Sequence, residues 1–377
     1  MSVIVVAVVL TALLFDFTNG FHDTANAMAT SIATGALRPR AAVLLAGALN
    51  LIGAFLSVQV AKTISSGLVN EAKITPVVIF GGLIGAILWN LLTWLFSLPS
   101  SSSHALFGGL IGATWVFAGS GAVNFSTVVS KVLLPLVLSP IVAGAVALTA
   151  TYLLYKFTAH REQRGVTKFF RVAQVLSASA LALAHGTNDA QKTMGVITLT
   201  LITVGLLPVT AGPPLWVIAS CGLVIAAGTA LGGWRIIQTL GRRISNIQSP
   251  QGFVAETSST AVILTSTHLG FPLSTTQVAT GSIFGAGIGR RVGTVQWGTA
   301  AKMALAWLFT LPAAGVLGAL AARVAATGTT GTALVAAVAA TVALGIFGLS
   351  RRRPVTAENV NELPVPTRVP AVAEQAA

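Results

Sequence analysis

Four of the nine acidic residues of this chain, Asp16, Asp23, Asp189 and Glu256, stand in strongly apolar sequence. A carboxylate in such surroundings is costly unless it is paired or solvated, so by default it marks a site for a cation or a proton. Asp23 lies in N-G-F-H-D-T-A-N-A-M (Asn19 to Met28), and Asp189 lies in the related H-G-T-N-D-A-Q-K-T-M (His185 to Met194). Gly20 and Gly186 would let each helix unwind there and turn backbone carbonyls toward a cation. A second pattern also occurs twice: Pro99 is followed by Ser101, Ser102 and Ser103, and Pro272 by Ser274, Thr275 and Thr276. Proline followed by hydroxyl residues is a helix-start signal. A helix start inside apolar sequence presents free N–H groups and partial positive charge, which suits an oxyanion. One such run is more often an ordinary cap or helix–helix glue; two related runs point to a site.

Taken together, these residues offer Asp23, Asp189, Glu256 and His22 to a coupling cation or proton. They offer the two hydroxyl runs with Asn26 and Asn188 to an anion. The carboxylates repel an anion until a cation or proton sits on them, and that dependence is what a symporter needs. If sodium is the coupling ion, Asp23 and Asp189 are its ligands. Lys192 aligns with Asn26 and is placed either to pair with Asp189 or to touch the anion. Asp16 reads equally as a helix-packing contact; His104, like His22, flanks the sites and is placed to titrate or hydrogen-bond, while His160, His185 and His268 read as structural or interfacial. No spacing resembles a zinc site, and no cofactor is implied beyond the coupling ion, H+ or Na+.

The elements that must carry these groups are membrane helices. Of 377 residues, 54% are hydrophobic and 8% charged, against roughly 25% charged in soluble domains, and the mean hydropathy is +0.84. The apolar runs reach the ~20 residues needed to cross a bilayer as helices and lack the alternation of a barrel. The expected fold is therefore an all-α polytopic protein of the cell membrane, with the lipid bilayer as a partner. The net charge of +13 follows from basic clusters in short loops, as the positive-inside bias requires, and gives no reason to expect nucleic acid. A single cysteine, Cys221, leaves no internal disulfide.

Placing every basic cluster in the cytoplasm yields a threading. Residues 1–157 form a first repeat, with a broken helix over 1–37 and a hairpin over 76–119. Residues 158–171 form a basic cytoplasmic loop. Residues 172–350 form a second repeat plus a C-terminal helix, with a hairpin over 252–288, and 351–377 form a polar, disordered tail. The two aspartate segments then cross in opposite directions and the hairpins enter from opposite faces. This is an inverted-topology repeat with broken helices and two hairpins meeting near the midplane, as in secondary transporters.

The motifs closely resemble those of the PiT family of inorganic phosphate transporters. Its twice-occurring G-A-N-D-x-A-N-A-like hallmark is matched by Gly20-Phe21-His22-Asp23-Thr24-Ala25-Asn26-Ala27 and by Gly186-Thr187-Asn188-Asp189-Ala190. The P-S-S-S-S-H and P-L-S-T-T stretches and Glu256 in A-E-T-S-S extend the likeness over roughly residues 10–350. The resemblance implies a cation-coupled phosphate importer in which Asp23 and Asp189 are essential and the hydroxyl tips hold phosphate, free or as a metal–phosphate complex. His22 departs from the family's asparagine and Gln277 from its histidine, and the long central loop of some members is absent. Related permeases carry sulfate or other oxyanions, which leaves that substrate as the alternative. Monomer and homodimer both remain open. An intramembrane serine hydrolase is the enzyme alternative, but Ser102 and His104 are two residues apart and would not face each other on a helix. A passive anion channel fits duplicated sites less well than a carrier does.

Overall fold

The computed structural model describes residues 2–67, 69–160, 163–290 and 295–362. Among these residues the chain is helical, with two isolated β-bridges and no named strand. In chain order the helices are α1 (Val3–Ala33), α2 (Pro39–Ala54), α3 (Gln59–Gly67), α4 (Pro76–Leu95) and α5 (Ser102–Ala118). A short α6 (Phe125–Thr127) passes through a π turn into α7 (Leu134–Thr158). The second half contains α8 (Gln163–Thr203), α9 (Leu215–Leu231), α10 (Trp234–Gln238), α11 (Ser249–His268), α12 (Thr275–Arg290), α13 (Trp297–Ala325) and α14 (Thr329–Ser350). Prolines open α2, α4 and α11 within the first turn, where a missing N–H costs nothing. Among the described residues six helices are long and apolar enough to cross a membrane, or up to eight spans if each bent pair counts as one. The protein is thus a multi-pass, all-α membrane protein.

The halves pack by exchange. α1 lies on α9 and α8 lies on α2, while α5 packs on α13 and α12 on α7. Two apolar clusters result. One holds the start of α1, from Val5 to Phe15, and the end of α8, from Ala190 to Leu201, with α4, α5 and α9. The other holds the end of α1, from Ala25 to Ala33, and the start of α8, from Ala178 to Ala184, with α11 and α12. Helices α1 and α8 therefore run in opposite directions between the clusters. The polar stretches 16–23 and 185–193 lie where one cluster gives way to the other.

Three expectations are corrected. Segment 1–37 is not broken at its polar motif: α1 runs unbroken through Gly20, as α8 does through Gly186. The missing Cβ is used for close packing instead. A Cβ on Gly20 would strike Ile225 O and Thr229 N of α9, and one on Gly186 would strike Asn50 of α2. The breaks occur one helix later in each half, as a 68° bend between α2 and α3 and a 60° bend after α9. Gly232, at φ +77°, makes the second bend. The loop placed at 158–171 is shorter than expected, because α8 is already helical from Gln163 with no proline to delay it. The tail is ordered as far as residue 362: Val360 is buried, and the Glu362 carbonyl accepts from Gln238 Nε2 at 2.7 Å. Residues 363–377 lie outside the described residues.

Candidate functional site

The hairpin tips come first, because their helix starts set the site. Ser101 Oγ accepts from His104 N at 3.1 Å and Ser274 Oγ accepts from Gln277 N at 3.3 Å, so both residues cap their helices. The next residues therefore occupy the first turn, whose N–H groups lack intrahelical partners. The tips touch, with Ser103 Oγ donating to the Leu273 carbonyl at 2.8 Å and His104 Nδ1 3.4 Å from Gln277 Nε2.

The remaining hydroxyls meet the two aspartates. Ser102 Oγ donates to Asp23 Oδ2 at 2.7 Å, and Thr276 Oγ1 donates to Asp23 Oδ1 at 3.2 Å. Thr275 Oγ1 donates to Asp189 Oδ2 at 3.1 Å. Asn26 Nδ2 binds both threonine hydroxyls of the second tip, at 3.2 and 3.0 Å. All of these side chains are buried. Asp23 and Asp189 thus lie at one centre, formed where α1 and α8 cross beside the tips.

Basic groups are seated on the same carboxylates. His22 Nδ1 is 2.5 Å from Asp23 Oδ1, and its Nε2 is 3.4 Å from Ser100 Oγ. Lys192 Nζ donates to Asp189 Oδ1 at 2.5 Å, which decides its role in favour of the carboxylate. His185 Nε2 lies 3.2 Å from Asp189 Oδ2, at ion-pair distance without hydrogen-bond alignment, and its Nδ1 is 3.2 Å from Asn50 Oδ1. One ligand atom each from Asp23, His185 and Asp189 lies within 4.8 Å of the others, close enough to share a metal ion. The amide oxygens of Asn19 and Asn26 are buried and have no hydrogen-bond partner among the described residues. Carboxylate and amide oxygens are the donor set that hard cations take.

Not every expected residue joins this centre. Asn188 Nδ2 turns to Thr267 Oγ1 at 2.8 Å. Glu256 sits in a separate pocket, accepting from Thr30 at 2.6 Å, Gln174 at 3.0 Å and Ser177 at 2.5 Å. Asp16 is buried, neither oxygen meets a hydrogen-bond partner in good geometry among the described residues, and Thr193, Asp189 and Lys192 lie within electrostatic reach. His185 and Asn19 were missed as site residues. The signal for His185 was its position one helical turn, i to i+4, before Asp189. The Ser102 hydroxyl goes to Asp23 rather than to a histidine, so the serine-hydrolase arrangement is not formed.

Helix starts aimed at buried carboxylates, inside a bundle of exchanged halves, define a membrane carrier of small ions. Residues 19–318 match the phosphate transporter family, and the chain belongs to it. It is 57% identical over 312 residues to a Mycobacterium tuberculosis protein named "Probable low-affinity inorganic phosphate transporter", covering 82% of this chain and 75% of that one. A Bacillus subtilis protein of the same name is 42% identical over 321 residues, covering 84% and 95%. Among solved structures, the sodium-dependent phosphate transporter superposes with a TM-score of 0.76 at 22% identity, covering 86% of this chain and 99% of that one. This likeness shows that the two share a fold.

Proposed function

We propose that the protein is a secondary active symporter that imports inorganic phosphate, with Asp23 and Asp189 holding the coupling cation, a proton or sodium. The observation that carries this reading is that the hydroxyls opening α5 and α12 are given to the two aspartates. A hydroxyl has one hydrogen to donate. While it serves a carboxylate it is not available to an oxyanion, and the bare carboxylate repels that oxyanion. A cation on the carboxylate cancels the charge and frees Ser102, Thr275 and Thr276 for phosphate. Ser101, Ser103, Ser274 and Asn26 complete the anion's surroundings, with the first-turn N–H groups aimed at its charge.

Two kinds of coupling ion have support. His22 on Asp23 suits a proton, while the partnerless amide oxygens suit sodium, on which the solved neighbour's name says that protein depends. Glu256 is a further coupling group, linked to α1 through Thr30. The opposed directions of α1 and α8, and the membership of the two hairpins in opposite apolar clusters, support an inverted repeat that opens the centre to each side in turn.

The test is radiolabelled phosphate uptake into proteoliposomes under separately imposed proton and sodium gradients. Concentrative uptake driven by one of them is expected. Asp23→Asn and Asp189→Asn proteins should insert normally and lose at least about tenfold in accumulation, as loss of more than 1.4 kcal/mol of coupling would give. Failure to accumulate phosphate under either gradient, free or with a divalent metal, while sulfate is transported instead, overturns the substrate assignment.

A further inference from the structure

The two halves treat their aspartates differently. In the first half, the position three residues after Asp23 is Asn26, a neutral amide whose Nδ2 goes to the second tip and whose Oδ1 has no hydrogen-bond partner among the described residues. In the second half, the matching position three residues after Asp189 is Lys192, and its ammonium sits directly on the carboxylate at 2.5 Å. Among the described residues, no other lysine or arginine is buried. The side chain of Lys192 is itself fully buried. A flexible, strongly hydrated ammonium is not drawn into such a place for packing alone.

The position of that ammonium matters for ligands. A carboxylate, an imidazole and a second carboxylate within 4.8 Å could share a metal ion. Yet Lys192 Nζ is already seated on Asp189 Oδ1, and Oδ2 receives Thr275 and faces His185. An ammonium so close to the carboxylate would repel a second cation strongly in a water-poor interior. We propose that Lys192 is a built-in counter-cation: it fills the cation position of the second half, so that only the Asp23 half takes an exchangeable coupling ion. In place of two exchangeable cations, one in each half, this chain has one exchangeable and one tethered. Lys192 thereby sets which cations the carrier can use and how many. The inference rests on the reading of Asp23 and Asp189 as cation-holding groups.

The experiment reads sodium binding on purified full-length protein, without phosphate and without transport. Melting temperature is followed while sodium chloride replaces choline chloride at constant ionic strength. Asp23→Asn protein, with its lysine intact, is expected to be insensitive to sodium. Asp23→Asn/Lys192→Asn protein, which places at 192 the residue found at 26, should melt lower in choline and rise by several degrees in sodium. Adding Asp189→Asn should abolish that rise. Lys192→Arg keeps the charge and should stay insensitive in the Asp23→Asn background. Sodium stabilisation of Asp23→Asn protein that Asp189→Asn removes would overturn the proposal, because Asp189 would then bind sodium despite the lysine. So would a folded double variant that gains no response. The first of these outcomes does not depend on any lysine variant folding. Failure of phosphate uptake by the unaltered protein would sink the transport reading and leave these binding results unaffected.

Discussion

At the scale of residues, the site is a competition for hydroxyls. Asp23 takes two of them, from Ser102 and Thr276, and each is a hydrogen bond to a group that carries charge when ionised. Such bonds are worth about 1.5–3 kcal/mol, or roughly 10- to 100-fold in an equilibrium. Ser102→Ala and Thr276→Ala each remove a bond to Asp23 before phosphate enters and a bond to phosphate afterwards, so each is expected to raise the phosphate KM by less than that factor while leaving membrane insertion intact, as uptake kinetics at varied phosphate will show. Glu256 poses a different demand, since it accepts from three donors at once. Glu256→Gln would set an NH2 against one of those donors and should cost about 1–3 kcal/mol of stability, measurable as a lowered melting temperature. Much of this was legible beforehand. The aspartates announced themselves as acids in apolar sequence, and the tip hydroxyls by the prolines before them. His185 was not legible, because a histidine in apolar sequence looks the same whether it packs or binds. Only its turn-to-turn spacing from Asp189 distinguished it.

At the scale of elements, glycine was the ambiguous signal. A residue without a Cβ can permit unwinding or permit two backbones to touch, and sequence shows the absence but not its use. In α1 and α8 the use is contact, which keeps both aspartates on intact helices with fixed side-chain directions. Gly20→Ala drives a methyl into the backbone of α9 and should destabilise the protein by about 1–3 kcal/mol or more. Gly345→Ala in α14 meets nothing within 4 Å and should be neutral or stabilising by up to about 1 kcal/mol. Thermal melting of the two variants side by side checks the contrast. The hairpin positions could be read from hydropathy, whereas the early start of α8 and the bends after α2 and α9 could not. Each is followed by a short amphipathic helix, with Lys62 in α3 and Arg235 in α10, which hydropathy reads as the end of a span rather than as a bend within one.

At the scale of the whole molecule, the chain closes on itself. The segment after α14 returns across the ends of α1 and α10: Asn361 Nδ2 donates to Ile32 O at 3.4 Å, Arg242 Nε to Asn361 Oδ1 at 3.2 Å, and Val360 is buried. Its polar, proline-rich composition suggested disorder, and one buried valine with a few backbone acceptors was enough to reverse that. Ending the chain after Arg353 should cost about 1.5–3 kcal/mol, the worth of one buried side chain. Arg40→Ala should cost under about 1 kcal/mol, since its pair with Glu358 is exposed. Thr356, and after it Arg40, hold Glu358 below the ordinary carboxylate range, so this contact persists on mild acidification and is lost only at lower pH. At the centre, the bond from the Ser103 hydroxyl to the Leu273 carbonyl joins one hairpin to the other. Two doors that share a latch cannot be unfastened independently, because moving either one breaks the same bond. In the proposed carrier, that latch helps keep the two ends from standing open together. Ser103→Ala vesicles should therefore leak protons or sodium with no phosphate present.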